Sequence, residues 1–385
     1  MKGKIAYFDN AATTFPKPEV VYDYADSFYR SSGGNAGRGH NALANSATSV
    51  TAQAKDNIRQ LFECPAHEVV FTSSATDALN RILLGLGIAG NDSVFITPFE
   101  HNAVTRPLHH LAQSVGCELH VMEFSTETFK PTLDVIKTQF ERNTPKLVVM
   151  THASNVFGNI VPICEIAKLA KMYGATVVVD MSQTAGLVPV RLATDLIDYA
   201  VFAGHKTLYG PFGVGGFVCK PSATLKPVLF GGNGINSIEQ EMPENIVQMI
   251  EVGSQNTYAI AGLKASTDWI LGKGVEKLYS AEIKLRSKLI EILQEYTNIK
   301  VIDPNNGNPT VGVVSTIFDE YSPAEVELLL SRFGVAVRSG LHCSPYAHRF
   351  AGTLPAGTTR FSISAFSDES DFHNLKGALD TIRDE

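Results

Sequence analysis

Residues 146–180 read KLVVMTHASNVFGNIVPICEIAKLAKMYGATVVVD. The outer runs, KLVVMTH and ATVVVD, are apolar at successive positions, so both faces of each are buried, as in the central strands of a parallel sheet. Between them Ile163, Ile166, Ala167, Ala170 and Tyr173 recur at helical spacing, and Gly174 stands where such a helix would stop. Strand, helix, strand in this order is a βαβ crossover, which is right-handed in nearly every known case. The same rhythm runs outward on both sides. EVVFT (68–72), SVFIT (93–97), ELHVMEF (118–124) and YAVFAG (199–204) are further short apolar runs, each closing on polar or small residues. The spacing therefore predicts an α/β layer protein with a mostly parallel sheet from about residue 68 to 219.

The pattern changes after about residue 255. EKLYSAEIKLRSKLIEILQEY is a long amphipathic helix, and SPAEVELLLSRFG offers Ser322 as N-cap, Pro323 at the first helical position and Glu325 to complete a capping box. Apolar runs such as TVGVVSTIF and RFSISAF alternate with these helices. The expectation is a large domain over 15–255 and a smaller α+β domain over 256–385, joined by the N-terminal segment 1–14.

The bulk numbers narrow the function. A chain of 385 residues can bury a sizeable core, and 44% hydrophobic with 18% charged residues is ordinary globular composition. A formal net charge of −7 argues against nucleic acid or an anionic membrane as partner, and no apolar run reaches the length of a membrane span. The five cysteines (Cys64, Cys117, Cys164, Cys219, Cys343) are scattered, odd in number and free of C-x-x-C spacing. That fits a reducing compartment and no zinc site, so a cytoplasmic protein is expected.

In an open parallel sheet, ligands collect beyond the carboxyl ends of the strands. After EVVFT comes SSATDALN, whose free N–H groups at a helix start suit a phosphate, although simple N-capping explains the same residues. After SVFIT comes His101, after KLVVMTH comes Asn155, and ATVVVD ends on Asp180. A carboxylate closing an apolar strand needs a partner, since an unpaired buried charge costs several kcal/mol; an ion pair or a cap would also serve. After YAVFA comes GHKTLYGPFGVGG, which sets Lys206 among small and apolar residues. A lysine in such a site has a depressed pKa and becomes a nucleophile toward carbonyl carbon. Schiff-base lysine, pyridinium partner, phosphate cup and a ring-stacking imidazole are together the requirements of pyridoxal 5'-phosphate (PLP). Cys343 differs from the other cysteines. It lies in VRSGLHCSPYAHR, a loop with Arg338, His342, His348 and Arg349 nearby, where positive neighbours favour a reactive thiolate.

These residues resemble the class V aminotransferase superfamily of PLP fold-type I, and within it the cysteine desulfurase and selenocysteine lyase branch with a short cysteine-bearing loop. The similarity runs nearly end to end through YFDNAATT (7–14), GRGH (37–40), FTSSATDALN (71–80), EHNAV (100–104), THASNVFG (151–158), VDMSQTAG (179–186), FAGHKTLYGPFGVGG (202–216), VGSQNT (252–257), RSGLHC (338–343) and TTRFSISAF (358–366). The resemblance implies a mostly parallel seven-stranded sheet flanked by helices. It gives Lys206 the cofactor link and the α-proton, Asp180 the pyridine nitrogen, Gln183 the ring oxygen and His101 the ring face. Ala75 through its backbone, Thr76 and His205 would hold the phosphate, and Ser254 would reach the phosphate of a neighbouring subunit in a homodimer with shared sites. Asn155 and Arg360 would receive the substrate carboxylate, with Arg338 beside them. The implied reaction turns L-cysteine, or L-selenocysteine, into L-alanine and leaves a persulfide on Cys343 for an acceptor protein, as in iron–sulfur cluster assembly. Ala203 and Ala75 depart from the pattern, standing where relatives often carry a hydroxyl, and the compressed GRGHN spacing leaves the role of His40 open. The alternatives are another PLP enzyme of the superfamily, an aminotransferase or β-lyase with Cys343 idle, and a scaffold that has lost catalysis.

Overall fold

The computed structural model describes residues 4–384 except Arg38, His40, Asn233, Ile235, Asn236, Ser237, Asn305 and Asn306. His40 and its neighbour Arg38 thus lie outside the described residues.

Every apolar run read as a strand is one. The large sheet has seven strands, in the spatial order Glu68–Thr72, Gly215–Cys219, Tyr199–Ala203, Thr176–Asp180, Pro145–Thr151, Ser93–Ile96 and Glu118–Val121. Six of them run parallel, and Gly215–Cys219 runs against both its neighbours. This antiparallel strand was not anticipated. Its sequence, GGFVC, opens on two glycines that hide its strand character. Packing demands both glycines. A Cβ on Gly216 would sit 2.2 Å from the Val70 carbonyl oxygen, and one on Gly215 would meet the Ala75 nitrogen at 2.7 Å. Because Ala203 pairs with Gly215, the segment 204–214 that carries Lys206 is the loop of a long hairpin closing at the carboxyl edge of the parallel strands.

The crossover helix spans Ile163–Met172 and buries Ile163, Ile166, Ala167 and Ala170, with Gly174 taking the left-handed φ of +75° just beyond it. One face of the sheet packs on a core built from Ile58, Phe62, Phe202, Leu208 and Leu263; the other packs on Leu79, Ile82, Val104 and Leu108. The outermost strand, Glu118–Val121, is half-exposed, as an edge strand is.

Beyond residue 255 the helix Thr257–Lys273 still adds Ala259, Ile260, Leu263 and Ile270 to the large core. The separate smaller core begins with the helix Val275–Gln294, whose Leu289 and Leu293 pack with Val314, Phe361 and Leu375. Here a four-stranded sheet orders Arg338–Gly340, Thr358–Ser362, Val313–Phe318 and Ile299–Ile302, all antiparallel. The capping box of Ser322 and Glu325 forms at the start of the helix Pro323–Arg332. Ala6 and Phe8 belong to this smaller core, and Ala6–Tyr7 pairs with Val335–Ala336. From there the N-terminal segment crosses to the large sheet, so it ties the two cores together beside Lys206.

Candidate active site

The carboxyl ends of the strands converge on a cleft of about 200 Å³. Ala75, Thr76, His101, Asn155, Asp180, Gln183, His205, Lys206, Arg338 and Arg360, all singled out from the sequence, line it together. Two do not. Ser254 lies on the wall of an adjoining depression of about 670 Å³ with Thr76 and Asp77, where Asn35 donates to its hydroxyl at 3.3 Å. Cys343 sits beside the cleft rather than in its lining.

Lys206 follows the strand Tyr199–Ala203, and its ammonium donates to no group among the described residues. Burial pulls its pKa down to about 8; Arg360 and Arg338 act the same way, while Asp180 and Cys343 oppose them. Near neutral pH about a tenth of the amine is therefore uncharged, far more than for an ordinary lysine, and that is the form that attacks a carbonyl carbon. Asp180 closes the strand Thr176–Asp180 and is 5% exposed. Its expected partner is Ser182, whose backbone N–H and hydroxyl both donate to Oδ1, at 2.9 and 2.5 Å. Oδ2 makes no hydrogen bond among the described residues, and a protonated ring nitrogen would supply the missing donor.

His101 both caps and faces the cleft. Its Nδ1 accepts from the Ala103 N–H at 3.0 Å at the start of the helix Asn102–Ser114. The ring proton therefore belongs on Nε2. Burial, with Lys206 second, depresses its pKa to about 4, so a neutral flat ring is presented. At the end of the cleft where a phosphate is expected, Ser74 caps the helix Ala75–Gly85 by accepting from Asp77 N–H at 3.1 Å. Capping and an anion cup are thus compatible, because the first-turn N–H groups at Ala75 and Thr76 have no partner within a helix. His205 stacks on Phe212 with ring centroids 4.6 Å apart, and its buried Nδ1 has no partner among the described residues. Gln183 donates from Nε2 to the Ala11 carbonyl at 2.9 Å, which leaves its second amide hydrogen free.

The cysteine loop is docked firmly. Asn155 donates from Nδ2 to the His342 carbonyl at 2.8 Å and accepts from the Ser344 hydroxyl at 2.7 Å, so one side chain grips both neighbours of Cys343. The Asn102 N–H donates to the Cys343 carbonyl at 2.7 Å. His342 and Cys343 both hold left-handed φ values, +47° and +59°. The Arg338 guanidinium Nη2 lies 3.7 Å from the Cys343 sulfur, and Cys343 is half-buried. Arg360 is 1% exposed, paired with Asp9 at 2.5 Å and donating to the Asn155 carbonyl at 3.0 Å, while its Nε has no partner among the described residues.

Several contributors went unread in the sequence. Ser182 and Ser344 are small hydroxyls whose role depends on which loop they face. Glu100 is wholly buried, accepting on Oε1 from Thr97 Oγ1 at 2.6 Å and Thr151 N at 2.7 Å, with Oε2 unpartnered among the described residues. Burial, helped by Asp180, raises its pKa to about 8. Its only sequence signal was its place beside His101.

This geometry has relatives. A probable cysteine desulfurase of Pyrococcus abyssi is 30% identical, covering 98% of this chain and 94% of its own. A cysteine desulfurase of Haloferax volcanii is 28% identical over 99% of this chain and 90% of its own. Among solved structures, an apo cysteine desulfurase from Thermococcus onnurineus NA1 superposes with a TM-score of 0.90 at 28% identity, covering 98% of this chain and 94% of that one. The sequence model of the aminotransferase class-V family matches residues 6–375, and the chain belongs to that family.

Proposed function

We propose that this protein is a PLP-dependent cysteine desulfurase that uses Cys343 as its sulfur acceptor. The observation that carries the reading is a thiol held by a docked loop at the cleft of a buried lysine, its sulfur 3.7 Å from a guanidinium lining that cleft. Full-length likeness to cysteine desulfurases supports it.

The cleft fits PLP in the chemistry of its donors and acceptors: an unpartnered amine, a carboxylate oxygen awaiting a donor, a flat neutral ring and free N–H groups at a helix start. When bound, the cofactor supplies an imine to the substrate amine and a ring that withdraws electrons from Cα. Asp180 would hold the ring nitrogen protonated, and His101 would cover the ring face. Gln183 would donate to the ring oxygen, and His205, Thr76 and the Ala75 backbone would bind the phosphate. Arg360, with Arg338 and the spare amide hydrogen of Asn155, would receive the substrate carboxylate. Lys206 would take the α-proton. The Cys343 thiolate then attacks the substrate sulfur; the new S–S bond forms as the C–S bond breaks, the electron pair stays on the β-carbon and is protonated there, and return of the α-proton by Lys206 completes alanine. Selenium leaves carbon more readily than sulfur, so L-selenocysteine falls within the same chemistry.

The reading extends to a homodimer. Phe15, Tyr29, Phe212 and Phe230 are each more than half exposed, and Phe212 covers His205 at the cleft. Burying such aromatics against a second copy is favourable, and Ser254, outside its own cleft, would serve the partner's phosphate. The sulfur would pass to an acceptor protein, with iron–sulfur assembly as the expected use, in the cytoplasm. Among the described residues no helix is long and apolar enough to cross a membrane. The expected division is a large domain over 15–255 and a smaller one over 256–385, joined by the segment 1–14, although the helix Thr257–Lys273 packs on the large core.

Turnover of L-cysteine by the PLP-loaded protein with a thiol reductant tests the reading. Equimolar alanine and sulfide, lost in Cys343→Ala, are expected. Pyruvate in place of alanine, or indifference to the substitution, would move the protein to the β-lyase or aminotransferase reading.

A further inference from the structure

The N-terminal segment grips the backbone of the Lys206 turn. Thr13 Oγ1 donates to the His205 carbonyl at 3.0 Å, the Thr14 N–H donates to the same oxygen at 3.2 Å, and Thr14 Oγ1 donates to the Lys206 carbonyl at 2.8 Å. Onto the same His205 oxygen comes a third donor, the ammonium of Lys17, at 2.5 Å. A carbonyl has two lone pairs, which the threonine donors already occupy, so satisfying that oxygen does not account for Lys17.

Lys17 is 9% exposed and pairs with no carboxylate among the described residues. Burial alone lowers its pKa, to about 7. A buried cation without a counter-ion is costly, and such a group persists where an anion completes the site. Among the described residues Asp180 is the one carboxylate lining the cleft, and it already binds Ser182. The phosphate end of the cleft, by contrast, has a shortage of positive charge. Ala75 and Ala203 bring no side-chain donor, Thr76 and the helix N–H groups are neutral, and burial holds the His205 ring neutral, with Lys206 and Lys17 adding to the effect. Arg338 and Arg360 are engaged beside Cys343 and Asn155.

We propose that Lys17 is a positioning residue that supplies, from behind His205, the counter-charge for the cofactor phosphate. The proposal rests on the PLP reading above. Its test separates charge from shape by comparing PLP with pyridoxal, which lacks the phosphate. The full chain is stripped of cofactor and titrated with each by absorbance. Lys17→Gln keeps a donor for the His205 carbonyl and removes the charge. It should weaken PLP binding about tenfold, the size of a partly screened charge pair, and leave pyridoxal binding within about twofold of the parent. Lys17→Arg should restore most of the preference for PLP, and Lys17→Met reads the same ratio should the Gln variant not fold. Equal weakening of both ligands, or unchanged PLP binding, overturns the proposal and leaves Lys17 a purely structural residue. Failure of the parent chain to bind either ligand would instead overturn the cofactor reading.

Discussion

The loop that carries Cys343 stores backbone strain, and Ser344→Ala should release it. Left-handed φ at two successive non-glycine residues costs roughly 1–2 kcal/mol each. The docking hydrogen bonds must offset that cost, and Asn155 supplies the central pair. Ser344 is fully buried and lines no part of the cleft, so Ser344→Ala touches the clamp without touching substrate. Its hydroxyl contributes about 1 kcal/mol, and leaving Asn155 Oδ1 unsatisfied adds about as much again. The sum, about 2 kcal/mol, is a factor of about 30 in the ratio of released to docked loop. Iodoacetamide alkylation followed by peptide mass spectrometry reads that ratio, with the exposed Cys164 of the same chain as internal reference. Cys343 labelling relative to Cys164 should rise by at least about fivefold and at most about 30-fold, the upper value applying if the docked thiol is unreactive. An unchanged ratio would refute the argument that this clamp holds the loop.

Three other outcomes follow from buried groups. Glu100 has an ordinary carboxyl pKa when unfolded and about 8 when folded, so its contribution to stability is complete below pH 4.5 and is lost as pH rises toward 8. Between pH 5.5 and 7.5 the loss approaches about 2.7 kcal/mol at 1.36 kcal/mol per unit, and Glu100→Gln should flatten that part of the denaturant-measured pH profile; an identical slope in both proteins would contradict it. Glu282, whose pKa burial raises to about 7, is present in both proteins and cancels. The cofactor-free chain should capture PLP on Lys206 at a rate that climbs with pH around a midpoint near 8, as the neutral amine appears; a midpoint near 10.5 in stopped-flow absorbance would show that burial does not tune it. Gly216→Ala pushes a Cβ to 2.2 Å from the Val70 carbonyl, and the forced shift should lower unfolding free energy by about 2 kcal/mol and loosen the Lys206 hairpin; an unaltered denaturation midpoint would count against that packing.

How much of this was written in the chain varies with range. Strands buried on both faces announce themselves through uninterrupted valine and isoleucine, and the crossover helix through its spacing, so the parallel sheet and the carboxyl-edge location of the site were readable. The strand Gly215–Cys219 was not, because its first residues are chosen for what they must not touch. The demand that Asp180 have a partner followed from burial, but Ser182 as that partner follows only from the turn after the strand. Asn155 was legible as a polar group at a strand end. Its hold on the Cys343 loop, nearly 190 residues along the chain, depends on how the two cores meet. Lys17 and Glu100 went unread for the same reason: composition does not say which charged side chains end up buried.

The central claim is that Cys343 itself takes the sulfur. Reacting the PLP-loaded protein with one equivalent of L-cysteine, without reductant, and digesting it after alkylation measures this directly. The account predicts the mass of one added sulfur atom on the peptide containing Cys343, with alanine formed in equal amount. Alanine or pyruvate released while that peptide stays unmodified would contradict it.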